Sequence, residues 1–247
     1  MATVVKAPDG IPNFHDGTEN EIYSQIMQSA DKLRGDPDRI LRHIQRAADA
    51  KGFLIALEPE KVEWLHRYLE PRQPKVIVEL GTYIGVSTIG FASLLRKCHG
   101  DTHGCKIYSC EYSPDFARIA RGLVELAGLQ DLVEVLEGAA ADSVQKLVEE
   151  HPNFKADVLF LDHWKYYYLS DLQLCEDLKM LRKGSLVIAD NTDIPGVPEY
   201  VEYVRNGGRG GHGTVKYTSE TFSTLKNPKP GDAVSNLPVL SIFGLFK

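Results

Sequence analysis

The sequence predicts an α/β fold: a doubly wound, mostly parallel seven-stranded sheet with helices on both faces and an antiparallel C-terminal hairpin. Three observations carry this expectation. From Lys75 onward the chain alternates short runs rich in Val, Ile and Leu with helical stretches, the pattern of parallel strands buried on both faces. Four of the five runs end on an acid or glycine and the first carries Glu79 next to its end, as strands do where they surface beside a ligand site. After residue 205 the alternation stops, and two further strand-like segments remain.

The elements follow in order. Residues 1–18 hold two prolines and two glycines without sustained periodicity, which reads as a flexible extension ahead of a single domain over 19–247. Three helical stretches come next: "ENEIYSQIMQSADKL", "DPDRILRHIQRAADAKG" with Asp-Pro at its start and Gly at its stop, and "EPEKVEWLHRYLEPR". They are expected to form a lid or a side layer. The core strands are "VIVEL" from Val76, "KIYSCE" to Glu111, "VEVLEG" to Gly138, "DVLFLD" to Asp162 and "SLVIAD" to Asp190, separated by amphipathic segments such as "SPDFARIARGLVELAG". Beyond "PEYVEYVR" and the Gly-rich "NGGRGGHG", the segments "TVKYTSETFS" and "VLSIFGLF" are most simply a hairpin closing the sheet edge.

Composition narrows the function. With 247 residues, 43% hydrophobic and 25% charged, the chain can bury a core. A net charge of −6 with no basic run argues against nucleic-acid or membrane-surface partners, both polyanionic. No signal peptide and no run of about 18 apolar residues is visible, and the four cysteines lack the spacing of a disulfide framework. A cytoplasmic monomer acting on a small molecule is the expectation. Cys98, His99, His103 and Cys105 are zinc ligands by type, but their spacing fits no usual zinc pattern and reads as a polar connection.

The strand ends carry the chemistry. After the first strand, "ELGTYIGVS" places Glu79 ahead of Gly81 and Gly85, then a helix near Ser87. The glycines let backbone approach a ligand, but neither GxGxxG nor a GKS/GKT phosphate loop is present. An acid inside such a loop suits a ligand with a cationic end, an amino acid or a sulfonium. Glu111 closes the second strand, where folds of this kind place the carboxylate that takes a ribose diol. Singly, Glu79 and Glu111 read as solvated strand-end acids; at consecutive strand ends they read as one binding site. Asp162 and Asp190 end the fourth and fifth strands, with the amide of Asn191 adjacent, an all-oxygen set suited to Mg²⁺ and not to zinc. Lys165 follows Asp162 closely enough to reach a group at that site, and burial fits it for general-base work. Trp164 offers aromatic surface beside it, whereas Tyr166, Tyr167 and Tyr168 read as packing.

These residues resemble the cation-dependent, S-adenosylmethionine-dependent catechol O-methyltransferase family. The likeness rests on "VELGTYIGVS", "EYSPD", "FLDHWKYYYL" and "LRKGSLVIADN" followed by "PGVPEYVEYVR", and runs from about Glu19 to Arg205 in consistent order. It implies a Rossmann-like class I methyltransferase fold and methyl transfer to one hydroxyl of a vicinal diphenol. By resemblance, Asp162, Asp190 and Asn191 hold Mg²⁺ and Lys165 is the catalytic base. Glu79, Ser87 and the Gly81 to Tyr83 turn take the methionine part, and Glu111 takes the ribose. Tyr112, Ala140, Asp162, His163, Trp164 and Leu57 complete the cofactor site. The substrate walls are Phe53 and Ile55 of "FLIAL", Trp164, Lys165, Asn191 and Pro195 of "DIPGVP", with Glu220 for the second hydroxyl and Asp232 as its alternative. At "GAAAD", Ala140 and Ala141 stand where the family meets adenine with side-chain hydrogen bonds, leaving backbone contacts. A relative acting on larger diphenols such as caffeoyl conjugates, and a non-catalytic adenosine-cofactor binding protein, are the competing expectations.

Overall fold

The computed structural model describes residues 17–51, 54–192, 196–209, 216–223 and 239–246. Its parallel strands are β1 (Val76–Leu80), β2 (Lys106–Glu111), β3 (Val133–Glu137), β4 (Val158–Leu161) and β5 (Leu186–Ala189); β6 (Lys216–Ser223) and β7 (Val239–Phe246) follow. The sheet order is β3-β2-β1-β4-β5-β7-β6. The chain therefore reverses direction across the sheet between β1 and β4, which pair in parallel from Ile77↔Val158 to Leu80↔Leu161. Ligands of open α/β sheets collect beyond the strand ends at such a reversal. The sequence expectation of a doubly wound α/β class holds. The C-terminal pair closes one edge: β7 runs antiparallel to β5, and β6 lies outermost.

Alternation along the strands divides the core. Ile77, Ile107, Val133, Val135, Val158, Phe160 and Ile188 face one layer. Their neighbours Val78, Leu80, Tyr108, Cys110, Leu159, Leu161, Val187 and Ala189 face the other, as the two-residue period of a strand requires. The first layer contains α5 (Val86–Cys98) and α6 (Pro114–Leu126); the second contains α7 (Ala140–Glu150), α8 (Tyr168–Asp177) and α9 (Pro198–Arg205).

The N-terminal helices form a side layer on the first face. The first expected stretch is broken at Gln28–Ser29 into α1 (Thr18–Met27) and α2 (Ala30–Leu33). α3 (Pro37–Lys51) and α4 (Pro59–Leu69) follow, each with proline in its first turn, where its missing N–H costs nothing. α1 lies on α6, while α3 and α4 lie on α5. α4 buries Lys61, Leu65 and Leu69, a four-residue spacing that puts a lysine on the apolar stripe. Among the described residues no helix is long and apolar enough to cross a membrane.

Candidate active site

The turn after β1 is built against the end of β4. Gly81 has φ +101°, and a Cβ there would stand 2.4 Å from the main-chain oxygen of Asp162 and 2.8 Å from the nitrogen of His163. Only glycine meets both demands. Gly85, also at positive φ, precedes α5 and leaves its first turn without a side-chain cap. Tyr83 takes φ +51°, held by its N–H donating to Glu111 Oε2 at 2.7 Å and its hydroxyl donating to Glu19 at 2.6 Å.

Beneath this turn Glu79 is fully buried. Its Oε2 accepts from the hydroxyls of Thr88 and Ser109, while Oε1 has no hydrogen-bond partner. Burial pushes its carboxyl up to about 7; the nearby hydroxyls of Ser109, Ser87 and Thr88 oppose this, and the Glu111 charge adds to it. A buried carboxylate oxygen without a donor is costly unless a ligand supplies one, so Glu79 fits a ligand's ammonium. Glu111, buried as well, accepts the N–H of Tyr83 through one oxygen and that of Ser113 (2.8 Å) through the other. A carboxylate held in place by backbone donors is an acceptor group suited to a diol. Burial raises its proton affinity and the backbone donors oppose that.

Across β4 and β5, Lys165 opens a short 3₁₀ turn (Lys165–Tyr167). Its Nζ lies 3.5 Å from Asp162 Oδ1, 3.3 Å from Asn191 Oδ1 and 3.2 Å from the main-chain oxygen of Asp190, and donates to the Tyr168 hydroxyl. Burial lowers the proton affinity of Lys165, against the pull of Asp162 and Asp190. Burial raises that of Asp162, against the pull of Lys165. Asn191 sits at φ +55°, a left-handed position that asparagine tolerates better than most residues. Asp190 is 3% exposed, and both its oxygens bind Lys61 of α4, at 2.7 and 2.8 Å.

Among the described residues no three His, Cys, Asp or Glu side chains gather as a metal-binding group. The set here is two carboxylates and an amide. Asp162 Oδ1 and Asn191 Oδ1 already converge on one cationic nitrogen, that of Lys165, and hard oxygen donors of this kind fit Mg²⁺.

The remaining residues fall on both sides of this centre. His163 stacks on Tyr168 (5.1 Å between centroids) and shares its Nε2 with Asp171 at 2.9 Å. Trp164 is 43% and Tyr112 69% exposed, Ile55 is also exposed, and Leu57 is buried. Ala140 begins α7, whose preceding Ala139 provides no side-chain cap, so no N-cap side-chain oxygen accepts from the first N–H groups of that helix. Phe53, Pro195 and Asp232 lie outside the described residues. Glu220 is on β6, in register with Ile242 of β7, itself opposite Ile188 of β5. At the sheet's other end, His99 bonds the carbonyl of Pro74 and the Cys98 thiol donates to that of Glu70, a polar connection.

Three residues escaped the sequence reading. Tyr168, fully buried, braces Lys165 and donates to the main-chain oxygens of Leu161 and Asp190; Asp171 orients His163. Neither carries a spacing signal. Lys61 does: a lysine one turn into a helix, on the same face as Leu65 and Leu69, needs a buried partner.

Residues 78–192 match the family described as methyltransferase domain. Over 191 residues the chain is 36% identical to catechol O-methyltransferase of Bos taurus, covering 77% of this chain and 67% of that protein. It is 34% identical over 187 residues to catechol O-methyltransferase of Mus musculus, covering 76% and 68%. The fold superposes on an O-methyltransferase from Bacillus cereus solved with SAH, with TM-score 0.65 and 22% identity over 93% of this chain and 100% of that one.

Proposed function

The chain belongs to the catechol O-methyltransferase family, and from that premise we propose that it transfers the methyl group of S-adenosylmethionine to one hydroxyl of a catechol in a magnesium-dependent reaction. The observation that carries this is the convergence of Asp162, Asn191 and the Asp190 main chain on Lys165 Nζ, all within 3.5 Å, with the buried carboxylates Glu79 and Glu111 on the adjoining strands β1 and β2.

S-Adenosylmethionine is consumed as a substrate. Glu79 offers its open Oε1 to the ammonium of the methionine part, Glu111 offers its carboxylate to the ribose, and the Gly81 turn lets backbone close on the chain between them. Asp162, Asp190 and Asn191 would hold Mg²⁺, which when bound supplies a Lewis acid that orients the two hydroxyls and lowers their pKa. Lys165, its proton affinity lowered by burial, takes the proton from the hydroxyl nearer the methyl donor. The oxygen then attacks the methyl carbon as the C–S bond breaks, leaving the monomethyl ether and S-adenosylhomocysteine. Trp164, Phe53 and Pro195 would wall the diphenol. The four free thiols are in keeping with a reducing compartment, and the reading is of a cytoplasmic monomer.

The test is direct. Purified protein with S-adenosylmethionine, Mg²⁺ and a small catechol yields one monomethyl ether by mass spectrometry, and excess chelator stops the reaction. Full turnover under chelator removes the magnesium assignment; turnover only with bulky diphenol conjugates moves the substrate class to those.

A further inference from the structure

We propose that Lys61 determines which divalent cation the site accepts, by confining Asp190 to a single coordinating oxygen. This rests on the reading that Asp162, Asp190 and Asn191 hold the ion.

Lys61 Nζ lies 2.7 Å from Asp190 Oδ1 and 2.8 Å from Oδ2, and these side chains are only 2% and 4% exposed. The Asn191 N–H also donates to Oδ1, at 2.9 Å. A carboxylate offers about two lone-pair sites per oxygen. Oδ1, with two donors, is therefore filled, and Oδ2, with one, keeps a single site open. Only Oδ2 then keeps a lone pair that an ion could use.

Lys61 is held in that position. Its third N–H reaches Glu58 Oε2 at 3.1 Å, so the ammonium's three donors all have acceptors. Its stem lies on the buried stripe of α4 with Leu65 and Leu69, and it starts from the first turn of a helix packed on α5. Withdrawing it would strip a buried carboxylate of its counter-charge, which is unfavourable in a low-dielectric interior.

The consequence is cation discrimination. Ca²⁺ takes six to eight oxygens and commonly gains them from bidentate carboxylates, whereas Mg²⁺ is octahedral, keeps several waters and is served by single oxygens. A carboxylate with one open site suits the second ion and penalises the first. Lys61 is thus a specificity-determining residue that never touches the ion.

Calorimetric titration of the metal-free protein with Mg²⁺ and, separately, Ca²⁺ tests this without reference to turnover. Lys61→Met is expected to raise Ca²⁺ affinity relative to Mg²⁺ by at least tenfold; an affinity ratio within twofold of the unsubstituted protein overturns the inference. Should that variant not fold, the unsubstituted protein crystallised with Mn²⁺ decides: one Asp190 oxygen on the metal with Lys61 still bonded supports it, and a bidentate Asp190 or a withdrawn Lys61 overturns it. If the unsubstituted protein binds no divalent ion at millimolar concentration, this inference and the magnesium assignment fall together. A changed coordination with intact binding overturns this inference alone.

Discussion

The β1–β2 half of the site and the β4–β5 half use buried carboxylates in opposite ways. Glu79 and Glu111 are met by neutral donors, among them the hydroxyls of Thr88 and Ser109 and the N–H groups of Tyr83 and Ser113. Asp162 and Asp190 each face a lysine, Lys165 and Lys61. The first half is short of positive charge and suits a ligand that brings its own. The second half has its lysines in place before any ligand arrives, so an added cation must share its oxygens with the lysine nitrogens. On the proposed reading, Lys61 on that side positions Asp190, and Lys165, whose proton affinity burial lowers, is the group left for proton transfer.

The largest expected break in this comparison is Lys165→Ala. A positioned general base contributes about 10²- to 10⁴-fold, so kcat should fall by that amount. Affinity for S-adenosylhomocysteine should stay within about twofold, on the reading that Glu79 and Glu111 carry it independently. Retained turnover would remove the base assignment; lost cofactor binding would show that the halves are not separable.

Gly81→Ala strikes both halves at once. The added Cβ collides with the Asp162 carbonyl, and φ +101° is strained for alanine. A loss of about 2 kcal/mol or more is expected in urea unfolding. Cofactor affinity and turnover should drop together, because this contact fixes the β1 turn against the strand end that carries Asp162 and Lys165. A variant that loses only one of the two functions would mean that the halves are registered by other contacts.

Legibility in the sequence followed the same division. Val, Ile and Leu runs marked β1 to β5 because strands covered on both faces must be apolar throughout. The acids ending them were visible because a buried strand rarely surfaces on charge by chance. The break between α1 and α2 was not visible, since Ile22, Ile26 and Leu33 would share one face of a continuous helix as well. Tyr168 and Asp171 were hidden for a different reason: their roles depend on which side chain lies above them, and that is set by the packing of α8 on the sheet. Lys61 lies between these cases. Its place on an apolar stripe could be read from α4, but its partner, 129 positions away in the chain, could not.

The smallest expected effect sharpens the comparison most directly, because it is a proton and not a side chain that moves. Without ligand, Glu79 titrates at about 7 against an ordinary value of 4.5, so at pH 6 it is mostly protonated. An ammonium placed at Oε1 favours the anion. Binding of S-adenosylhomocysteine at pH 6 should therefore release up to one proton, and affinity should rise at most about tenfold per pH unit before levelling off above 7. The sign for stability is the reverse. A group whose folded value is raised supports the ligand-free fold fully below 4.5, and that support is lost as pH climbs through 7. Calorimetry at pH 6 in two buffers of different ionisation heat measures the release, and Glu79→Gln should abolish it. Identical heats in both buffers would mean that the β1–β2 half is already charged before its ligand arrives, and the contrast with the lysine-bearing half would have to rest on Glu111 alone.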